Sequence, residues 1–170
     1  MAEAEGVVVV RGGAKGFVQE ISAGRHHLVA DEPVASGGTD RGPGPYDLLM
    51  SALGACMSMT IALYARTKKW PLESVEIRLS HSRVYAKDCL DCVVRDDTLL
   101  DRINTQVKLS GPLTAEQEQK LMEVAHKCPV HRTLKSDIDI REFVRISTSK
   151  RAANLKCAET RVGLNGVEQR

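Results

Sequence analysis

Apolar and polar positions follow several different periods along this chain, and each change of period marks an element. Val7 to Val10 and Gly16 to Ile21 read as short strands divided by Gly12-Gly13, and His26 to Ala30 reads as a third after Gly24. Three prolines and four glycines between Asp31 and Pro45 sustain no regular element, so a loop is expected there. Pro45 suits the first turn of a helix, where its missing N–H costs nothing. That helix should run through Leu48 to Ala65, eighteen residues without a charge, apolar on every side and so buried on every side. Val75, Ile77 and Leu79 then alternate with Glu76, Arg78 and Ser80, and Ile103, Val107 and Leu109 with Arg102, Asn104, Gln106 and Lys108, which predicts two half-buried strands. Thr114-Ala-Glu-Gln117 has the form of a capping box, and the stripe Leu121, Met122, Val124, Ala125, Cys128 predicts a second helix that Pro129 stops. Ile138, Ile140, Val144 and Ile146 alternate with Asp137, Asp139, Arg141 and Arg145, predicting a last strand. Strands, long helix, long strands, helix, strand is an α+β order with antiparallel sheets and the helices on one face. One domain over 1–146 and a tail over 147–170 are expected.

The uncharged stretch, followed by Arg66, Lys68 and Lys69, is also just long enough to span a bilayer. It contains Ser51, Gly54, Ser58 and Thr60 and has no counterpart elsewhere in the chain, so the central helix of a soluble fold is the expectation and a membrane partner is not. A composition of 42% apolar and 27% charged residues fits a single ordinary core. The formal charge of +2 comes from bases scattered among acids, which argues against a nucleic-acid partner. Five cysteines, an odd number, behind an N-terminus reading Met-Ala-Glu-Ala-Glu argue against a secreted disulfide framework. A reducing, cytoplasmic setting is expected, where thiols are more often catalytic or ligating than structural.

Cys56 shares a helix face with Leu49, Ala52, Leu53, Met59, Thr60 and Leu63 by spacings of three, four and seven. A dry face disfavours a thiolate, so a reactive Cys56 requires a cation from elsewhere. Arg25, beside a strand, and Arg41, in the loop entering the helix, are the candidates, since guanidinium stays charged when partly buried. Without such a cation Cys56 is a small core residue, the ordinary role of a free cysteine. If Pro129 opens a new helical turn, Cys128 is its N-cap, and the unpaired amides there favour a thiolate; otherwise Cys-Pro marks a packed corner. His131, close behind, is either a base or a surface residue. Asp88-Cys-Leu-Asp-Cys92 is half of a zinc site, but no second pair exists and His81 with a further cysteine would have to complete it. Auxiliary thiols, and no bound metal, are expected there. His26-His27 places at most one ring on any site, and Cys157 falls in the expected tail.

The segments Gly24-Arg-His26, Asp31-Glu-Pro33, Gly37-Gly-Thr39, Gly42-Pro-Gly-Pro-Tyr-Asp-Leu-Leu49, Ala52-Leu-Gly-Ala-Cys56 and Cys128-Pro-Val-His-Arg-Thr-Leu134 resemble the OsmC/Ohr family, osmotically inducible and organic hydroperoxide resistance proteins, especially its YhfA-like branch. The resemblance covers about residues 6 to 146. It implies an OsmC-like fold in an intertwined homodimer, with two active sites at the interface and the cysteine helices packed inside. It further implies an antioxidant peroxidase that takes an organic hydroperoxide and a dithiol reductant and needs no cofactor. On this resemblance Cys56 is the peroxidatic residue, Cys128 the resolving one, and an arginine holds the thiolate. Arg25 resembles the strand arginine of Ohr-like members, whereas Arg41 lies nearer the helix, as the OsmC-like arginine does. The peroxidase members carry a glutamate ten residues before the helix cysteine; here Tyr46 stands there and Asp47 is the nearest acid. A non-catalytic dimer that binds a small apolar ligand or senses redox state is the alternative.

Overall fold

The computed structural model describes residues 6–86, 97 and 99–145. The zinc reading at Cys89 and Cys92, Cys157, and the tail from residue 147 lie outside the described residues. Ser136 closes one compact unit and Asp137 opens a second.

The first unit begins with three antiparallel strands in the order β1 (Val8–Gly12), β2 (Gln19–Ala23) and β3 (His26–Ala30). The Ala23–His26 pair closes around the two-residue turn Gly24-Arg25, and Gly24 takes the positive φ of 57° that such a turn needs. The second strand begins three residues later than its pattern suggests, because Gly16 has φ 74°, a left-handed value that no strand accommodates.

The loop after β3 is organised by one carboxylate. Asp31 is buried; its Oδ2 accepts from Thr39 Oγ1 at 2.6 Å, Thr39 N–H at 3.0 Å and Arg41 N–H at 3.1 Å, and its Oδ1 accepts from Glu32 N–H at 2.9 Å. Chain crossings this tight exclude side chains: a Cβ on Gly38 would strike the Glu32 carbonyl, and one on Gly42 the Val29 carbonyl. The Thr39 hydroxyl first, and then the Arg41, Glu32 and Thr39 amides, hold the Asp31 carboxyl below its ordinary range against the opposing pull of burial. In Asp31→Asn at least one of these donors meets an NH2 group, so the variant is expected to be less stable at neutral pH. The folded protein keeps Asp31 ionised to lower pH than the unfolded chain does. The wild-type advantage is therefore complete above the ordinary aspartate range and fades as pH falls through and below it. Urea denaturation of both proteins at neutral pH and at about pH 3 measures this; an advantage undiminished in acid counts against it.

Helix α1 (Pro45–Lys68) follows, with Pro45 at its start and Asp47 Oδ2 accepting the Gly44 N–H at 3.1 Å. It ends at Lys69, which takes φ 56° while the Trp70 N–H turns back to the Ala65 carbonyl. The antiparallel ribbon β4 (Ser74–Tyr85) and β5 (Leu99–Ser110) packs its inner face, Val75, Ile77, Leu79, Ile103, Val107 and Leu109, against this helix. The approach is close at Gly54, where a Cβ would stand 2.9 Å from Leu79 Cδ1. Helices α2 (Ala115–Ala125) and α3 (Pro129–Leu134) complete the core, with Leu121, Ala125 and Cys128 in one cluster with Leu53, Met57, Ile61 and Ala65 of α1. The Thr114 capping box forms as expected: the Gln117 N–H donates to Thr114 Oγ1, and Gln117 Oε1 accepts the Thr114 N–H.

Three expectations change. Helix α2 stops at Ala125 and does not reach Cys128, because a residue before proline is forced out of the α region; Cys128 has φ −62° and ψ 142°. Helix α1, long and apolar enough to cross a membrane by length and composition, packs as a core helix on one side only; 28% of its most apolar window is buried within the chain. Leu49, Met59 and Leu63, on the face shared with Cys56, are exposed, so that face is not dry in the single chain. In the second unit the expected strand from Ile138 is not formed over the described residues, and Ile138, Ile140, Phe143 and Val144 are all exposed. Alternation alone makes no strand without a neighbouring backbone to pair with.

Candidate thiol site

The ridge of α1 that enters the core, Leu53, Met57 and Ile61, repeats every four residues, and Cys56 lies one step, about 100°, away from it. It is half-buried at the border between the core and the exposed apolar face, and its carbonyl accepts from Thr60 Oγ1 at 2.7 Å. Cys128 is fully buried at the corner between α2 and α3. Its extended backbone makes it the N-cap of α3, as the Cys-Pro sequence suggests, and its Sγ accepts the His131 N–H at 3.3 Å. Cys56 packs against the buried cluster that contains Cys128, and its side chain acts on the Cys128 thiol, so one cysteine from each motif neighbours the other in a single chain.

At Cys128 the cap and the packed corner are both present and oppose each other electrostatically. Burial pushes the thiol up from its ordinary value; the His131 and Val130 amides pull it down, and the adjacent Cys56 sulfur, as hydrogen-bond partner and as charge, pushes it up further. Desolvation is the largest effect because the Cys128 sulfur is fully buried. Near neutral pH Cys128 is therefore a protonated thiol, able to donate to its neighbour.

The other candidates are not drawn to this pair. Arg25 occupies the exposed turn between β2 and β3, and Arg41 is exposed, its backbone held by Asp31. Among the described residues neither guanidinium makes a hydrogen bond or ion pair. Asp47 serves as the cap of α1. The Tyr46 ring stacks on His81, with centroids 4.1 Å apart and planes 14° apart, and His81 Nε2 lies 2.9 Å from Asp101 Oδ1, which Arg83 also approaches at 3.4 Å. The aligned pairs are His81↔Ile103 and Arg83↔Asp101, so the His81–Asp101 contact is diagonal. Alternation predicts both strands but not the register that makes it.

The family model described as OsmC-like protein matches residues 38–142. The fold is shared with an OsmC-like protein from Mycoplasma pneumoniae, 20% identical, with a TM-score of 0.60 over 79% of this chain and 89% of that one. It is likewise shared with the organic hydroperoxide resistance protein OhrB of Bacillus subtilis, 22% identical, with a TM-score of 0.53 over 78% and 92% of the two chains. A Legionella pneumophila protein named an organic hydroperoxide resistance protein OsmC is 21% identical, with a TM-score of 0.55 over 78% and 90%. No curated relative matches the chain. The antiparallel sheets and long central helix are thus those of an OsmC-like α+β protein. The chain belongs to the OsmC-like family.

Proposed function

We propose that this protein, in the YhfA-like branch of its family, is a thiol-dependent peroxidase that reduces organic hydroperoxides and works as a homodimer in a reducing, cytoplasmic setting. The observation that carries the reading is a half-buried thiol on an apolar helix face with a fully buried, protonated thiol beside it. The Cys56 thiolate attacks the outer oxygen of R–O–O–H; the O–O bond breaks, the alkoxide leaves and takes a proton, and Cys56 becomes a sulfenic acid. Cys128 then forms the S–S bond to Cys56, the hydroxyl departs with the Cys128 proton as water, and an intrasubunit disulfide remains. A protonated Cys128 suits this order, because it does not compete for peroxide yet lies in contact with the sulfenic acid once it forms. Neither Arg25 nor Arg41 pairs with Cys56 in the single chain, so on this reading the dimer brings one of these exposed guanidiniums to the thiolate, with Asp47 at the helix start to orient it. The names of similar structures from B. subtilis and L. pneumophila support hydroperoxides as the substrate class.

The homodimer is supported by the exposed side chains Leu49, Met59 and Leu63 on α1, an apolar face beside Cys56 that a second copy would cover. Treatment with one equivalent of cumene hydroperoxide is expected to remove two hydrogens from the intact chain and join the Cys56 and Cys128 peptides, while Cys128→Ser halts at the sulfenic acid. Light scattering of the same sample should give the mass of two chains. Free thiols throughout, or a single-chain mass, would overturn the corresponding part. A second reading, a non-catalytic ligand-binding or redox-sensing dimer, is favoured by one feature: Tyr46 stacks on His81 where the family resemblance places an arginine-holding glutamate. Disulfide formation without multiple turnovers in the presence of dithiothreitol would select it.

A further inference from the structure

The end of α2 and the whole of α3 carry a feature that the peroxide chemistry leaves unused. A cleft of about 790 Å3 is lined by the His126 and His131 rings, the Arg132 and Lys135 side chains and the hydroxyl residues Thr133 and Ser136, with no acid among its lining residues. The two imidazoles stand 5.5 Å apart at 60°. Among the described residues neither Arg132 nor Lys135 is engaged in an ion pair. Two full positive charges and two imidazoles around one concavity, with no acid in its lining, create a potential that collects anions. The cleft adjoins the redox pair: Pro129, which lines it, follows Cys128, and His131, which also lines it, donates its N–H to Cys128 Sγ.

We propose that this cleft docks the reductant that reopens the Cys56–Cys128 disulfide, and that the reductant is a thiol carrying a carboxylate. The inference rests on the two-cysteine reading above. The docked thiolate forms an S–S bond with one protein sulfur as the Cys56–Cys128 bond breaks, and the released sulfur takes a proton from solvent. A second reductant thiol displaces this mixed disulfide, so the reductant leaves oxidised by two electrons and both cysteines return to thiols. Carboxylates bound by Arg132 and Lys135 raise the local concentration of the attacking group and leave the exchange chemistry itself unchanged.

The test uses the full-length protein oxidised with diamide, so that it does not depend on peroxidase activity. Reopening is followed by thiol release with 3-mercaptopropionate, 2-mercaptoethanol and cysteamine, which carry negative, no and positive charge, each compared at equal thiolate concentration. The wild type is expected to be reopened about tenfold faster by the anionic than by the cationic thiol at low salt, with the neutral thiol between and the ratio shrinking as salt rises. Arg132→Gln/Lys135→Gln should bring the ratio close to one, and Arg132→Glu/Lys135→Glu should invert it; both residues are exposed, so the fold should tolerate either change. A wild-type ratio near one, or a ratio that the substitutions do not move, overturns the docking proposal alone. Reduced protein that ignores peroxide while diamide still forms the disulfide overturns only the peroxidase reading, and no disulfide under either oxidant overturns both.

Discussion

Cys56→Ser is expected to reduce dithiol-dependent hydroperoxide consumption to the uncatalysed background, a loss on the order of a thousandfold or more. A serine hydroxyl fits the half-buried site without strain, but it does not ionise near neutral pH and is a poor nucleophile toward an O–O bond. Cys128 is not positioned to substitute for it, since burial keeps that thiol protonated and out of reach of solvent. Cys128→Ser is different in kind: the first turnover survives, and recycling then depends on an external thiol attacking the Cys56 sulfenic acid directly. Stopped-flow consumption of cumene hydroperoxide by the two variants separates these steps. Appreciable steady-state turnover in Cys56→Ser, with circular dichroism showing an intact fold, would remove the helix cysteine from the mechanism.

Leu121→Ala is expected to cost about 2–5 kcal/mol, a large part of the roughly 5–15 kcal/mol that holds a typical domain together. Leu121 is completely buried and belongs to the cluster in which α2 meets Met57 and Ile61 of α1 and Cys128 at the start of α3. Truncation removes apolar contact and leaves a void in the wall behind the Cys128 thiol, so on the two-cysteine reading disulfide formation should slow as well as stability fall. Chemical denaturation at fixed protein concentration, as association requires, gives the first quantity, and the rate of peroxide-induced disulfide formation gives the second. A change below about 1 kcal/mol would mean that α2 repacks and that its contact with α1 does not set the thiol geometry.

Much of this was legible from residue patterns because the signals are local. His26 to Ala30 after Gly24, the Thr114 capping box, Pro45 at the start of α1 and Cys128 as an N-cap each depend on neighbours within a turn, and each appears where its chemistry puts it. What the sequence hid depends on distant or missing partners. Burial along α1 follows from which elements cover it, and one chain covers only part of it. The Tyr46–His81–Asp101 arrangement depends on a ribbon register that alternation does not determine. The sequence leaves Cys128 open between a thiolate cap and a packed corner, because a cap is visible in sequence and desolvation is not. Sequence spacing places Arg132 and Lys135 near each other, but not with His126 in one concavity, since that requires the turn after Ala125.

The bond from the His131 amide to Cys128 Sγ makes the first turn of α3 a witness to the oxidation state. A thiol sulfur is free to cap that amide, whereas a sulfur drawn into a disulfide is a weaker acceptor with a fixed Cβ–S–S geometry. On the two-cysteine reading, oxidation is therefore expected to weaken the cap of a six-residue helix that carries His131, Arg132 and Thr133 of the basic cleft. A change in the His131 amide resonance between the reduced and diamide-oxidised protein is the expected sign of it, and an unchanged resonance would count against it.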